Sequence, residues 1–232
     1  MQQTILITGS NRGLGLEWAR QYAESGWRVH ATCRYPDDAE ELQQIARTHA
    51  NLTLHQLDVT DDGDLRSLAT ELSGASIDVL LNNAGVYLEK YKPGFGLIDY
   101  GDWLQTLTVN TLGAVRVTEA LVEQVARSRR RLVVAITSHM GSIAEITAPG
   151  SYYYRSSKAA LNAAMKGLSI ELAGRGIGVL MLHPGWVRTR MGGPEGLLTP
   201  EQSVRGMRRL VEQFALTDNG RFYRYDGSEI PW

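Results

Sequence analysis

Tyr154 and Lys158 stand four residues apart in Ser151-Tyr152-Tyr153-Tyr154-Arg155-Ser156-Ser157-Lys158. On a helix that spacing sets both side chains on one face. An ammonium beside a phenol favours the phenolate and lowers a tyrosine pKa from its ordinary ~10. Such a pair can give a proton to an oxygen being reduced, or take one from an alcohol being oxidised. Among the three consecutive tyrosines only Tyr154 has a lysine four positions on; Tyr152 and Tyr153 have Ser156 and Ser157 there. The spacing is common by chance, and a helical tyrosine packed beside a surface lysine is the plain alternative.

A second group of residues suits phosphate. Thr8-Gly9-Ser10-Asn11-Arg12-Gly13-Leu14-Gly15 follows a strand-like run and opens a helix-like one. Glycines there permit a tight turn, close approach of backbone N–H groups to a phosphate, and close packing of helix on strand. The spacing is GxxxGxG, so Gly9, Asn11, Arg12, Gly13, Leu14 and Gly15 become candidate cofactor contacts on context more than on pattern. Enzymes that prefer NAD usually hold the ribose 2′-OH with an acid about 20 residues further on. Here Val29-His30-Ala31-Thr32-Cys33-Arg34 has no acid before Asp37. Arg34 offers a planar guanidinium suited to a 2′-phosphate, and Arg12 a second charge. The expected cofactor is therefore NADP(H), preferred over NAD(H).

The elements that must position these residues alternate. Apolar, β-branched runs occupy 4–8, 28–33, 52–57, 77–81, 132–137 and 178–183, with helix-period stretches at 14–24, 39–48, 65–72, 103–127, 156–172 and 200–214. That order predicts an α/β fold: a single doubly wound, Rossmann-type domain over 1–232, its parallel sheet of about seven strands covered by helices on both faces. Crossovers should be right-handed. Residues 86–101, with Lys90, Lys92, Pro93, Gly94 and Gly96, and residues 190–199 read as loops beside the ligand crevice.

With 24 Lys and Arg against 25 Asp and Glu in 232 residues, the net charge of -1 gives no field to attract nucleic acid or an anionic bilayer. The run Arg127-Ser128-Arg129-Arg130-Arg131 reads as a solvated helix end. No stretch approaches the ~20 apolar residues of a spanning helix, and the N-terminal run reads as a strand and not a signal peptide, so a cytoplasmic protein is expected. One cysteine, Cys33, excludes a disulfide framework, and His30, His49, His55, His139 and His183 show no metal-ligand spacing; no metal is expected.

The glycine turn, Asn82-Asn83-Ala84-Gly85 and the Tyr154–Lys158 pair occur in the order found in short-chain dehydrogenase/reductases, which the whole chain resembles. Leu57-Asp58-Val59 and Pro184-Gly185-Trp186-Val187-Arg188-Thr189 extend the likeness, and Thr137-Ser138-His139-Met140 with the ending through Ile230-Pro231-Trp232 is similar to the C-factor and sniffer-type carbonyl reductase subgroup. The stretch between Ser138 and Tyr154 is longer than usual in the family. The resemblance implies that Ser138 binds the substrate oxygen, Tyr154 moves the proton, Lys158 holds the nicotinamide ribose, and Asn110 supports a proton relay. It implies that Asp58 and Val59 flank the adenine, that Asn82, Ala84 and Gly85 shape the cofactor floor, that Thr189 touches the carboxamide or phosphates, and that Pro184, Gly185 and Val187 also contact the cofactor. A small-molecule carbonyl or alcohol is the implied substrate. A homodimer or homotetramer through the helices near 103–127 and 156–172 is the implied assembly. Two other readings stay open: a signalling protein that binds the dinucleotide with little turnover, and an epimerase or dehydratase built on the same tyrosine.

Overall fold

The computed structural model describes residues 2–90 and 94–232; residues 91–93, within the expected loop 86–101, lie outside the described residues. Among the described residues seven strands form one parallel sheet, β1 (Thr4–Thr8), β2 (Arg28–Cys33), β3 (Leu52–Gln56), β4 (Val79–Asn82), β5 (Leu132–Ile136), β6 (Gly178–His183) and β7 (Arg221–Arg224), in the order β3-β2-β1-β4-β5-β6-β7. The central strands β1, β4, β5 and β6 lack polar alternation because both sheet faces are covered there, whereas β2 and the edge strand β3 mix polar and apolar residues. Ile5, Ile7, Val79, Leu81, Leu132, Val134, Leu180 and Leu182 pack to one side. They meet α1 (Gly13–Glu24), α2 (Glu40–Thr48) and α7 (Pro200–Gln213) through Trp18, Tyr22, Leu42, Val204 and Met207. Leu6, Leu80, Val133, Ala135, Val179 and Met181 face the other side, against α3 (Asp62–Glu71), α5 (Gly113–Ala126) and α6 (Tyr152–Glu171).

Three elements differ most from their sequence reading. The helix expected over 103–127 is two helices, α4 (Tyr100–Leu107) and α5, joined by one π turn at Thr108–Leu112. Apolar periodicity runs through the join and so hid it. The helix expected from 156 begins at Tyr152, which puts Tyr154 inside α6 and makes its pairing with Lys158 helical. The seventh strand, β7, is a four-residue edge strand with an arginine at each end, so it lacks an apolar run. In the arginine cluster Arg127, Arg129 and Arg131 are exposed, as expected of a solvated helix end, and Arg130 is half-buried. Arg127 donates to Ser73 O (2.6 Å), Arg130 to Val211 O, and Arg131 to Ser128 O (3.2 Å).

Parallel strands put every strand's C-terminal end on one edge of the sheet. Connections from β1 run outward through β2 to β3, then return past β1 to start β4. The crevice outside the ends of β1 and β4 is thus the switch point at which open α/β sheets bind ligands.

Candidate active site

A cleft of about 1350 Å³ opens at that switch point. Gly9, Asn11, Arg12, Gly13, Leu14 and Gly15 line it, as the sequence predicts. Gly9 (φ 69°) and Gly13 (φ 56°) occupy the left-handed region, which disfavours any side chain. Gly15 is excluded from bearing one by contact: a Cβ would overlap the Gly9 carbonyl oxygen and lie 2.6 Å from Asn83 Nδ2. At the start of α1, Arg12 provides no side-chain cap and the first turn holds no acid. The open N–H groups and positive helix end therefore face the cleft unanswered, an arrangement that fits a pyrophosphate.

The ends of β1 and β4 are tied together. Thr8 Oγ1 accepts from the backbone N–H groups of Asn83 (2.9 Å) and Ala84 (3.0 Å), and Asn83 Nδ2 donates to Thr8 O (2.9 Å) and Gly9 O (3.1 Å). Thr8 and Asn83 thus hold the glycine turn against Ala84 and Gly85. Sequence reading gave them no role because neither bears a chemically distinctive group. Asn82, by contrast, turns away from the cleft and donates to Thr118 Oγ1 on α5 at 3.0 Å; it braces the floor from beneath.

Arg34, Asp58 and Val59 also line the cleft. Among the described residues neither Arg12 nor Arg34 forms a salt bridge, so both guanidinium charges remain to be met by an anion. Asp58 Oδ1 accepts from Thr60 N (2.9 Å) and Thr60 Oγ1 (2.7 Å) in a local turn, while Asp61 caps α3. Pro184 and Thr189 line the cleft too. Gly185 and Val187 lie behind them; Val187 is buried and bridges to Leu198. The segment 190–199 is a loop, as expected, fastened by Arg188 N to Leu198 O (2.9 Å) and Gly193 N to Thr189 O (2.8 Å).

Tyr154 and Lys158 share one face of α6 and both reach the cleft. Lys158 Nζ sits 5.7 Å from the Tyr154 ring centroid and donates to Ile136 O at 2.9 Å. Ser138, two residues past β5, lies near enough to the Tyr154 side chain to favour its ionised form, and its Oγ accepts from Met140 N at 3.1 Å. Asn110 lies one layer behind, in the π turn. Its amide donates to Val86 O (2.9 Å) and Ser157 Oγ (3.0 Å), and its oxygen accepts from Val86 N (2.7 Å). Ser157 in turn donates to Tyr154 O at 2.9 Å. The structure therefore brings the four residues into one neighbourhood: Tyr154 and Lys158 line the cleft, while Ser138 and Asn110 are buried beside them.

The electrostatics correct one expectation. Burial pushes the Tyr154 phenol up to about 12, Ser138 opposing it and Tyr87 adding to it. Lys158 is itself pushed down to about 8 by burial. Desolvation thus outweighs the anticipated cationic effect. The phenol is held as the acid. His139 does not enter the cleft; its Nδ1 meets His183 Nε2 at 3.1 Å, and burial pushes His183 down to about 3, leaving a neutral pair behind Ser138.

Two residues of this region escaped the sequence reading. Tyr87 stacks on Tyr154 with ring centroids 4.5 Å apart, and Glu89 accepts from Tyr154 N at 2.7 Å. Both lie in the loop after β4, where no periodicity links them to α6.

Known proteins share this fold. The carbonyl reductase Sniffer of D. melanogaster superposes with a TM-score of 0.93 at 31% identity, covering 100% of both chains. An NADPH-bound carbonyl reductase from chicken fatty liver gives 0.92 at 30% identity, covering 100% of this chain and 99% of that one. C-signal of Myxococcus xanthus is 44% identical over 168 residues, 72% of this chain and 100% of that protein. Residues 3–196 match the short chain dehydrogenase family, and that stretch carries the glycine turn, Ser138, Tyr154 and Lys158. The chain belongs to the short chain dehydrogenase family and is an oxidoreductase.

Proposed function

We propose that this oxidoreductase reduces aldehyde or ketone carbonyls with NADP(H), and oxidises the corresponding alcohols in reverse. One observation carries the reading: a buried Tyr154 beside Ser138, with Lys158 Nζ 5.7 Å from its ring, lining a cleft also lined by Arg12 and Arg34, neither salt-bridged among the described residues. The glycine turn, Ala84, Gly85 and Thr189 would hold the dinucleotide, and Arg12 and Arg34 its 2′-phosphate. When bound, the nicotinamide supplies the hydride. Everything else falls to the chain. Negative charge grows on the carbonyl oxygen, and two hydroxyl donors, Ser138 and Tyr154, favour that charge in a water-poor setting. Tyr154 gives its proton to the oxygen, and the neighbouring ammonium of Lys158 favours the phenolate left behind. The likeness to an NADPH-bound carbonyl reductase supports the cofactor choice.

The protein is further proposed to act as a homodimer or homotetramer. Tyr100 (73% exposed) and Leu104 (65%) on α4, and Leu112 (52%) just before α5, leave apolar side chains uncovered on the helices that the assembly requires. A second reading, a dinucleotide-binding signalling protein with little turnover, draws on the likeness to C-signal. The deciding measurement is NADPH oxidation by the purified chain against aldehydes, ketones, diketones and quinones, with Tyr154→Phe as control. Turnover that disappears in the variant while NADPH still binds supports the reductase. Substantial turnover by the variant would defeat the assignment, and tight NADPH binding without wild-type turnover would favour the second reading.

A further inference from the structure

Helix α6 has no cap of its own. Ser151, which precedes it, lies in the left-handed region (φ 55°, ψ 37°), and its side chain makes no capping bond. Helices α3, α4 and α7 begin differently: Asp61, Asp99 and Thr199 each accept from the backbone N–H three residues on. That is the ordinary way to satisfy an orphan donor of a first turn. In α6 the N–H three residues on belongs to Tyr154, and it donates to Glu89 Oε1 at 2.7 Å. Glu89 is only 9% exposed. A carboxylate so buried needs its charge answered, and a helix N-terminus answers it.

The neighbours of Glu89 bear on the same turn. The Tyr87 ring stacks on Tyr154 at an interplanar angle of 26°, and its hydroxyl meets Ser151 Oγ at 2.5 Å. Val86 is held at both backbone groups by Asn110. The segment from Val86 to Glu89 thus straps the start of α6 to the π turn, and the strap ends on the backbone of the residue that bears the reacting phenol.

We propose that Glu89 is a positioning residue for carbonyl reduction, supplying from the β4 loop the N-cap that α6 lacks and so fixing Tyr154, with Tyr87 fixing the plane of its ring. The proposal rests on the reductase reading given above. Glu89 touches no reacting atom and acts through Tyr154 alone. Misplacing a reacting group by about 1 Å can cost on the order of a hundredfold in rate, so a lost cap should register in kcat.

Two variants of the full chain test this, Glu89→Ala and Glu89→Gln, each with steady-state kinetics and amide hydrogen exchange at the first turn of α6. In Glu89→Ala, kcat should fall about 10- to 100-fold, NADPH affinity should stay within about twofold, and the Tyr154 amide should lose protection. Glu89→Gln keeps an acceptor oxygen and should restore both readouts to within about threefold of wild type. Wild-type kcat and exchange in Glu89→Ala would overturn the proposal. So would a Gln variant as impaired as the Ala variant, or NADPH affinity falling in step with kcat. The exchange readout needs no substrate: if the wild-type chain reduced nothing, the reductase reading alone would fail, and protection of the Tyr154 amide would still decide the cap.

Discussion

Arg34 follows the last residue of β2 and brings its guanidinium to the cleft with no carboxylate partner among the described residues. If its charge serves a 2′-phosphate, Arg34→Ala should weaken NADPH by about tenfold or more, ~1.4 kcal/mol, and leave NADH nearly unchanged. Fluorescence titration of both cofactors checks this, and equal weakening of the two would refute it. Lys158 makes a different prediction. Burial lowers it from an ordinary 10.5 to about 8, so between those pH values the unfolded chain carries a proton there that the folded chain lacks. Stability of the ligand-free protein should accordingly rise with pH across that window. Tyr154, raised from 10 to about 12, acts in the opposite sense only above about pH 10, where the unfolded chain has lost a proton that the folded chain keeps. In Lys158→Met the rise above about pH 8 should vanish from a plot of melting temperature against pH; a variant that kept it would exclude Lys158 as the source. The pair was legible in the sequence because helical geometry links positions four apart. Its protonation was not, because burial is a property of the surrounding fold and here exceeds the effect of the adjacent charge.

At the scale of elements, the first βα turn is defined by what cannot fit. Gly15→Ala sets a methyl against a backbone carbonyl and Asn83, at an expected cost of about 1–3 kcal/mol, and should abolish the rise in melting temperature that NADPH gives the wild type. Gly167→Ala is the contrast, since that helical position on α6 meets nothing within 4 Å and should gain roughly 0.5–1 kcal/mol. A Gly15→Ala variant still stabilised by NADPH would break the argument. Strands β1, β2 and β6 were readable to the residue because each is short, rich in apolar or β-branched residues and followed at once by Gly9, Arg34 or Pro184. The π turn was not, although it decides where Asn110 points. Gly113, which closes it, packs on Val59 so tightly that a Cβ would come within 2.6 Å of Val59 Cγ2, a contact between segments far apart in sequence. The strap from Val86 to Glu89 was hidden for the same reason. Its meaning lies in contacts with α6, and nothing in the local sequence announces them.

For the whole molecule, the assembly prediction rests on surface left uncovered. Tyr100→Glu combined with Leu112→Glu should turn a sedimenting dimer or tetramer into a monomer without loss of fold; a wild-type chain already monomeric at micromolar concentration would remove the premise. The order of the sheet also has a consequence for synthesis. Strand β2 joins one edge of β1, and β3 joins β2; β4 then takes the free edge of β1, and β5, β6 and β7 follow outward in turn. Each strand, as it leaves the ribosome, finds its partner already made and its docking edge still open. No strand must ever be inserted between two earlier ones. The sheet can grow in the direction of translation, and the half that carries Ser138, Tyr154 and Lys158 is added last, onto a glycine turn already in place.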